Sequence, residues 1–271
     1  MKLSVSFIDA FTDRVFKGNP AAVILLNEWL PETTMQSIAT ENNLSETAFL
    51  VSSSSNGAVV FNIRWFSPIQ EIPFCGHATL ASSFFLFSQH TSDTTITFYA
   101  PAVGEFFVEK MNDGMIRMNF PNNKPQKIDA IPNDLNNGLS IAPREVYRNQ
   151  QAYIAVYDSE QQVSDVVTHG ETLKKLAPYN VSVTAPSTRY DFVSRYFWPA
   201  SGGNEDPVTG SMHTALAPLW AERLGKNGLL AYQSSPRGGE VLCEVQGDRV
   251  LISGHAVLYL EGTIFIDNAL C

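Results

Sequence analysis

The sequence is short of basic residues and of long apolar runs. Its 271 residues include 18 lysines and arginines against 27 aspartates and glutamates, and the basic residues form no cluster. Because contact with phosphates needs a basic face, we expect no nucleic-acid partner. No apolar run approaches the roughly 20 residues that a membrane-spanning helix needs, and charged residues interrupt the N-terminal segment where a signal peptide would be apolar. We therefore expect no membrane partner either.

Cysteine is equally scarce. The chain has three cysteines, far apart in the sequence, and an odd number cannot complete a disulfide framework. This usage is typical of a reducing compartment, so we expect a cytoplasmic protein. Neither Cys-x₂-Cys nor His-x₃-His spacing occurs. A metal site built from Glu46, His77, Asp206 and His213 is conceivable but has no spacing to support it, and we predict no metal.

The most informative feature that is present is an approximate repeat. The segment Arg64–Pro68, followed by Cys75–Thr79, resembles Arg195–Pro199, followed by Thr209–His213. The two arginines are 131 residues apart, and the glycines that follow them are 134 residues apart. A steady offset near half the chain length predicts two copies of one domain.

Each predicted half contains short strands and one long apolar helix. The helices are predicted at Gly76–Gln89 and Ser211–Leu224, and the first is apolar on almost every face. A sheet curled around a central helix would bury such a helix completely. We predict an α+β fold with two pseudo-symmetric halves, residues 1–121 and 122–271, and leave open whether the last strand returns to the first half.

Other elements follow from turn and cap chemistry. Pro31 is predicted to start a helix that ends near Asn43. Ser52–Gly57 is predicted as a linker between two strands, and the proline-rich segment Pro121–Pro132 as the crossing between domains.

The two helix starts at Gly76 and Gly210 are candidate anion sites. The free N–H groups of a first helical turn, together with the helix dipole, bind carboxylates and developing oxyanions. The alternative is that each glycine only caps a buried helix. The presence of two matched instances favours the first interpretation.

Glu46 and His77 are the candidate acid–base residues. Glu46 lies just past a predicted helix end and before a strand, where a half-buried carboxylate acquires the pKa of a general acid or base. The alternative is an ordinary exposed glutamate. His77 beside the first glycine, with Asp206 and Ser211 beside the second, forms a plausible proton-handling set. A histidine in such a place is also often only a hydrogen-bond partner of the helix.

Three further residues are read as structural. Cys75, before Gly76, would be activated as a thiolate by the helix terminus, but it lacks a nucleophile motif and we interpret it as a packing residue. Arg64 and Arg195 lie in predicted strands, where they pair with Glu71 and with Asp206 rather than with a substrate.

Five short segments, spread over nearly the whole chain, carry a resemblance to a known family. They are Asp9–Thr12, Gly18–Val23, Glu41–Phe49, Cys75–Thr79 and Glu205–Ser211, and Arg237-Gly238-Gly239 follows them. In this order they resemble the PhzF (phenazine biosynthesis-like) family. The resemblance implies a diaminopimelate epimerase-like fold, with an active site between the halves and isomerase chemistry that needs no cofactor.

The resemblance also implies roles for the candidate residues. Glu46 matches the family's catalytic carboxylate, which removes a proton from one carbon and returns it to another. His77, Asp206 and Ser211 match residues that line the cleft and assist this movement. The predicted substrate-binding set is Gly76, Gly210, Asn19 and Thr209. Diaminopimelate epimerases and proline racemases carry a cysteine in each half, whereas this chain has Cys75 and Thr209 at those places.

Three functions remain in competition at this point. The first is an isomerase that moves a proton within a small carboxylic acid, with Glu46 as general acid and base. The second is a non-catalytic protein that binds small carboxylates. The third is an amino-acid racemase or epimerase that uses Glu46 together with a proton from solvent or from a histidine. The retained acid–base set disfavours the second. In each case we expect a small-molecule carboxylate as the ligand and a homodimer as one assembly.

Overall fold

The structure of the protein is a computed structural model that describes residues 1–55, 58–90 and 92–267. By contact, the chain divides into a first unit, Met1–Asn119 with Ser253–Cys271, and a second unit, Phe120–Ile252. The last strand therefore lies with the first unit, where it pairs with the first strand. Within the described part of the chain, none of the helices is long and apolar enough to cross a membrane.

The elements follow one another in chain order. Up to Pro121 they are β1 (Lys2–Ala10), β2 (Asn19–Leu26), α1 (Glu32–Asn42), β3 (Glu46–Ser55), β4 (Ala58–Phe66), β5 (Glu71–Ile72), α2 (Gly76–Gln89), β6 (Thr95–Ala100), β7 (Gly104–Lys110) and β8 (Ile116–Pro121). The elements that follow are β9 (Gln126–Lys127), α3 (Asn133–Gly138), β10 (Glu145–Arg148), β11 (Ala152–Val156), α4 (Glu160–Asp165), α5 (Gly170–Leu173), β12 (Asn180–Pro186), β13 (Phe192–Phe197), β14 (Glu205–Asp206), α6 (Gly210–Leu224), β15 (Gly228–Gln233), β16 (Gly239–Gln246), β17 (Arg249–Gly254) and β18 (Ala256–Phe265).

Both units use one strand pattern. In the first, β2 and β3 are parallel, β3 and β4 antiparallel, and β6 lies parallel to β4. In the second, β11 and β12 are parallel, β12 and β13 antiparallel, and β15 lies parallel to β13. A two-residue strand, β5 or β14, then leads into the long helix in each case. The repeat in the sequence is therefore a repeat of topology, and the α+β prediction is confirmed.

The helix α2 is the centre of the first unit. It packs against β1, β2, β3 and β18, and most of its residues are buried. Its hydroxyl side chains bond back to the helix: Thr79 donates to the Cys75 carbonyl at 2.6 Å, and Ser82 donates to Ala78 at 2.7 Å. Because these hydroxyl groups are hydrogen-bonded within the helix, the surrounding strands need not supply partners for them when the helix is buried.

Several local predictions are confirmed and one is wrong. The bounds of α2 are those predicted, and α1 begins directly after Pro31. The predicted linker Ser52–Gly57 is wrong for its first four residues, because β3 continues to Ser55, which pairs with Ala58. Residues 56–57 lie outside the described part of the chain. The serine-rich composition suggested a loop, but strand pairing with β4 overrides that local preference.

Candidate active site

Glu46 lies at the start of β3, directly after the turn that ends α1. Asn43 closes that helix in the left-handed conformation, with φ at 48°, and the Asn42 amide donates to the Thr47 hydroxyl at 3.1 Å. The β3 register places Glu46 opposite Ala21 of β2. Only 13% of its side chain is exposed. The alternative of an ordinary exposed glutamate is therefore excluded.

His77, the second residue of α2, is the partner of Glu46. Its Nε2 lies 2.9 Å from Oε2 of Glu46, and only 6% of its side chain is exposed. Oε2 is buried, yet among the described residues no donor meets it with hydrogen-bond geometry. The short distance therefore describes an ion contact whose N–H is poorly aligned with the carboxylate oxygen.

The other ring nitrogen of His77 has two neighbours. Nδ2 of Asn19 lies 3.1 Å from Nδ1, and Sγ of Cys75 lies 3.4 Å from it. Asn19 follows Gly18, whose φ is +62° and where an added Cβ would lie 2.1 Å from the Ala10 carbonyl oxygen. Only glycine fits there, and it directs the chain so that Asn19 meets the imidazole. We call Asn19, Glu46, Cys75 and His77 the Glu46 cluster.

Charge inside the Glu46 cluster is distributed unequally. Burial, with the Glu46 carboxylate, raises the pKa of the Cys75 thiol to about 11, although His77 opposes the shift. Burial alone would lower the pKa of His77, but negative charge on Cys75 and Glu46 outweighs it and holds that pKa well above its usual range. Because Cys75 is a neutral thiol near pH 7, the anion that matters there is Glu46. The Glu46 carboxylate therefore favours the protonated form of the His77 imidazole.

The second helix start is organised by a glutamine. Thr209, the residue before α6, donates its hydroxyl to Oδ2 of Asp206. The buried Gln233, at the end of β15, accepts from the Thr209 amide at 2.8 Å and donates to the Asp206 carbonyl at 2.7 Å. One side chain thus fixes both ends of the turn from Asp206 to Thr209.

Ser211 is held by a separate contact. Nε2 of Gln151 donates to the Ser211 hydroxyl at 3.1 Å and to the Tyr196 hydroxyl at the same distance. Asn180 donates to Tyr196 from the other side at 3.1 Å. Ser211 therefore lies at the end of a neutral hydrogen-bond chain, without an ionised partner among these three residues.

His213 is a buried neutral histidine. Its Nδ1 donates to the Thr209 carbonyl at 2.9 Å, and its ring stacks on Phe192. Burial lowers the pKa of the imidazole to about 4, although the bond to Thr209 opposes the shift. Its Nε2 is buried with no hydrogen-bond partner among the described residues. This imidazole carries no charge at neutral pH and acts as packing.

The two arginines are structural, with one correction. Arg64 donates to Glu71 at 2.7 Å, as predicted. Arg195 donates to Glu205 at 2.8 Å and to the Val166 carbonyl at 2.9 Å. The predicted pairing of Arg195 with Asp206 is wrong, because the antiparallel register places Glu205 opposite Phe197, on the same face as Arg195.

The comparisons with known proteins now decide the family. The family model described as phenazine biosynthesis-like protein matches residues 8–262. The chain belongs to this PhzF family. It is 44% identical to an uncharacterized isomerase of Pseudomonas aeruginosa over 98% of this chain and 100% of that protein.

Solved structures agree with this membership. The crystal structure of a PhzF family protein from Enterococcus faecalis has a TM-score of 0.92 and 41% identity, covering 98% of this chain and all of that one. A predicted epimerase from Pseudomonas aeruginosa, 19% identical, has a TM-score of 0.71 over 98% of this chain and all of that one. The second likeness concerns the fold alone, and it confirms the epimerase-like fold class.

For this PhzF family member, the structure forms two groups from the predicted residues. Glu46, His77, Asn19 and the helix start at Gly76 meet in the first unit, whereas Asp206, Thr209, Gly210 and Ser211 lie together in the second. Their assigned roles stay predictions, as does a cleft shared by both groups.

Sequence reasoning missed three contributors. Interpreting Cys75 as a packing residue was incomplete, since its sulfur also touches the His77 ring; the Cys-x-His spacing was the available signal. Gln151 and Gln233 gave no signal, because a glutamine in a loop or at a strand end has no motif.

Proposed function

We propose that this protein is a cofactor-independent isomerase that moves a proton between two carbons of a small carboxylic acid. The observation that carries the proposal is the buried pair of Glu46, at the start of β3, and His77, at the start of α2. Nε2 of His77 and Oε2 of Glu46 are 2.9 Å apart. Only a small part of either side chain is exposed, and buried ion pairs are costly to maintain unless they are used or fully satisfied. The pair of Glu46 and His77 is incompletely hydrogen-bonded, which supports a catalytic role for it.

Glu46 is the general base and acid of this proposal. Its carboxylate takes a proton from a carbon of the substrate, and the electron pair left behind is delocalised toward the substrate's acid group. The same carboxyl group then returns the proton to the second carbon, so no net proton is consumed. His77 holds the carboxylate in place and, as an imidazolium, supplies positive charge beside the developing anion.

The residues at the helix starts bind the substrate in this proposal. The N–H groups at Gly76 or Gly210 hold the carboxylate, and the side chains of Asn19 and Thr209 contact the rest of the molecule. Asp206 and Ser211 orient it. Arg64 and Arg195 are already paired with glutamates, which supports anion binding by backbone rather than by guanidinium.

A two-thiol racemase has less support. Such an enzyme needs a thiolate on each face of the carbon, whereas Cys75 has a pKa of about 11 and Thr209 stands at the matching place. The names of relatives support an isomerase: the Pseudomonas aeruginosa protein, 44% identical, is named an uncharacterized isomerase.

Hydrogen exchange tests the proposal even though the substrate is unidentified. Small amino, hydroxy and dihydroaromatic acids with a C–H beside an acid or a double bond are incubated with the protein in D₂O, and proton NMR follows the loss of C–H signals. We expect one class to exchange and to shift its double bond. Exchange with inversion at one carbon, and no bond shift, would indicate a racemase instead.

A matched pair of variants assigns the base. Glu46→Gln keeps the shape of the side chain and should lower turnover by about 10²–10⁴-fold. Glu41→Gln, on the exposed side of α1 five residues earlier, should leave turnover unchanged. Full activity of Glu46→Gln on the exchanging substrate would refute the assignment.

A further inference from the structure

Three side chains of the Glu46 cluster form an unassigned set of metal ligands. Glu46, Cys75 and His77 each offer one ligand atom, and these atoms all lie within 4.8 Å of one another. Carboxylate oxygen, cysteine sulfur and imidazole nitrogen are the donors that Zn²⁺ takes in proteins. Three protein ligands that leave one position open are typical of zinc sites that bind water or a small ligand.

Two of the three ligand distances are close to those around one ion, and the third, from the Cys75 sulfur to a Glu46 oxygen, is at most 4.8 Å. Sγ of Cys75 lies 3.9 Å from Nε2 of His77, and that nitrogen lies 2.9 Å from Oε2 of Glu46. Bond lengths of about 2.3 Å to sulfur and about 2.0–2.1 Å to nitrogen and oxygen separate tetrahedral ligands by roughly 3.3–3.6 Å. One measured distance must shorten and the other lengthen, each by a few tenths of an ångström.

One observation points to a ligand at this place, and a second allows one. Oε2 of Glu46 is a buried oxygen that no described donor meets with hydrogen-bond geometry, although a ring nitrogen is only 2.9 Å away. Nδ1 of His77 lies 3.1 Å from the amide of Asn19. A histidine that ligates zinc through one nitrogen characteristically donates the N–H of the other to an acceptor. The Asn19 amide must turn so that its oxygen, rather than Nδ2, faces Nδ1.

We propose that the Glu46 cluster binds one zinc-class divalent cation through Cys75, His77 and Glu46, and that this ion inhibits the proton-transfer chemistry. On binding, the S–H bond of Cys75 breaks and its proton leaves to solvent, His77 ligates as a neutral imidazole after any proton on Nε2 has left to solvent, and bonds from sulfur, nitrogen and carboxylate oxygen to the ion form. No oxidant or reductant takes part. The ion occupies the lone pairs that Glu46 would use as a base, so bound protein is inactive until the ion is removed.

The metal site considered from the sequence was a different set, Glu46, His77, Asp206 and His213. Cys75 and His77 are two residues apart at the start of α2, but Glu46 comes from β3, so no linear motif contains all three. The site goes beyond the proposed isomerase function, and metal binding can be measured with no substrate present. If the protein binds no metal, the isomerase proposal is unaffected. If the protein is not an isomerase, the metal-binding measurement still stands.

Cadmium and zinc binding provide the test. The full chain is freed of metal with a chelator and titrated with Cd²⁺, whose bond to a thiolate gives an ultraviolet charge-transfer band, and with Zn²⁺ by calorimetry in buffers of different ionisation enthalpy. We expect one ion per chain and the release of at least one proton, because the Cys75 thiol must lose its proton to ligate the ion. Cys75→Ser should abolish the band and weaken binding by roughly 100-fold or more.

The other two cysteines provide matched controls. Cys243 is buried in the second unit, and Cys243→Ser should leave the band and the affinity unchanged, as should Cys271→Ser. His77→Gln and Glu46→Gln should each weaken binding without abolishing the thiolate band at high Cd²⁺. A band that survives Cys75→Ser, or binding that none of the three ligand variants changes, would overturn the proposal. So would the absence of saturable binding.

Discussion

The two helix starts have similar backbones and opposite electrostatics. Each follows a strand with an arginine–glutamate pair and begins at a glycine, 134 residues apart. In the first, His77 lies against Glu46 and has a raised pKa. In the second, Ser211 stands at the matching position, and the nearby His213 has a pKa of about 4 because it is buried and faces only a backbone carbonyl.

The difference shows that a duplicated scaffold does not fix chemistry. A buried imidazole loses its charge unless an anion offsets desolvation. Within the described part of the chain, a carboxylate lies that close to His77 but not to His213. The first helix start thus carries an ion contact between His77 and Glu46, whereas Ser211 at the second is held by neutral hydrogen-bond partners. The predictions below test this contrast, in order of expected effect.

The largest effect is expected when the charged histidine is removed. His77→Gln should lower turnover by about 10²–10⁴-fold, because the imidazolium beside Glu46 is lost. Initial rates on a substrate found by exchange provide the measurement. The same substitution at His90, exposed at the other end of α2, is the control and should have no effect. Turnover that falls equally in both variants would contradict the assignment.

The neutral histidine should limit stability in acid. The folded-state pKa of His213, about 4, lies below its ordinary value of 6.5, so protonation favours the unfolded chain. The contribution of the neutral His213 imidazole to the free energy of unfolding is fully present above pH 6.5. It is lost as the pH falls toward 4, by about 3 kcal/mol. Urea unfolding at several pH values should show a flatter acid limb for His213→Leu than for the wild type. Parallel acid limbs would contradict the shift.

His77 should show the opposite trend. Its folded-state pKa is raised, so its contribution to stability is present below pH 6.5 and is lost as pH rises through the higher value. As the pH rises, the free energy of unfolding should therefore fall less in His77→Gln than in the wild type. The acid side should be the same in both. If His77 and His213 variants alter the same limb, the contrast between the two helix starts is wrong.

Removal of the glutamine clamp should give an intermediate effect. Gln233→Leu leaves the Thr209 amide and the Asp206 carbonyl without this buried partner, at about 1–3 kcal/mol for each group that finds no substitute. Denaturant midpoints measure the cost. Gln246→Leu, at an exposed strand end, should change stability by less than about 0.5 kcal/mol. Equal midpoints for both variants would show that the turn does not depend on Gln233.

The smallest effect is expected at the hydroxyl that replaces the second cysteine. Thr209→Val keeps the shape of the side chain and loses the bond to Asp206 and the 3.3 Å bond that the hydroxyl accepts from Gln233, at about 1 kcal/mol. Thr188→Val removes an exposed hydroxyl 3.3 Å from Glu160 and should cost almost nothing. The difference between the two denaturant midpoints measures what the buried hydrogen bonds of the Thr209 hydroxyl contribute. A difference of zero would mean that solvent replaces those bonds.

Local sequence determined the elements that carry their own signals. Apolar residues on every face fixed α2, proline fixed the start of α1, and the steady offset revealed the repeated topology. The pairing of short strands such as β6 and β15 has no local signal, because a strand's partners lie elsewhere in the chain. Glu46 was placed correctly at the mouth of β3 because a helix end and a strand start flank it.

Only the tertiary structure decided what each polar side chain meets. Asn19 and His77 are 58 residues apart and in contact, and Glu46 reaches His77 only because β3 and α2 pack together. The same holds for Gln233 and for the sulfur of Cys75. A residue's type and its local periodicity indicate whether it is buried, since both follow from neighbours along the chain. Its pKa and its partners depend on distances across the fold, and these exist only after the sheet has closed around its helix.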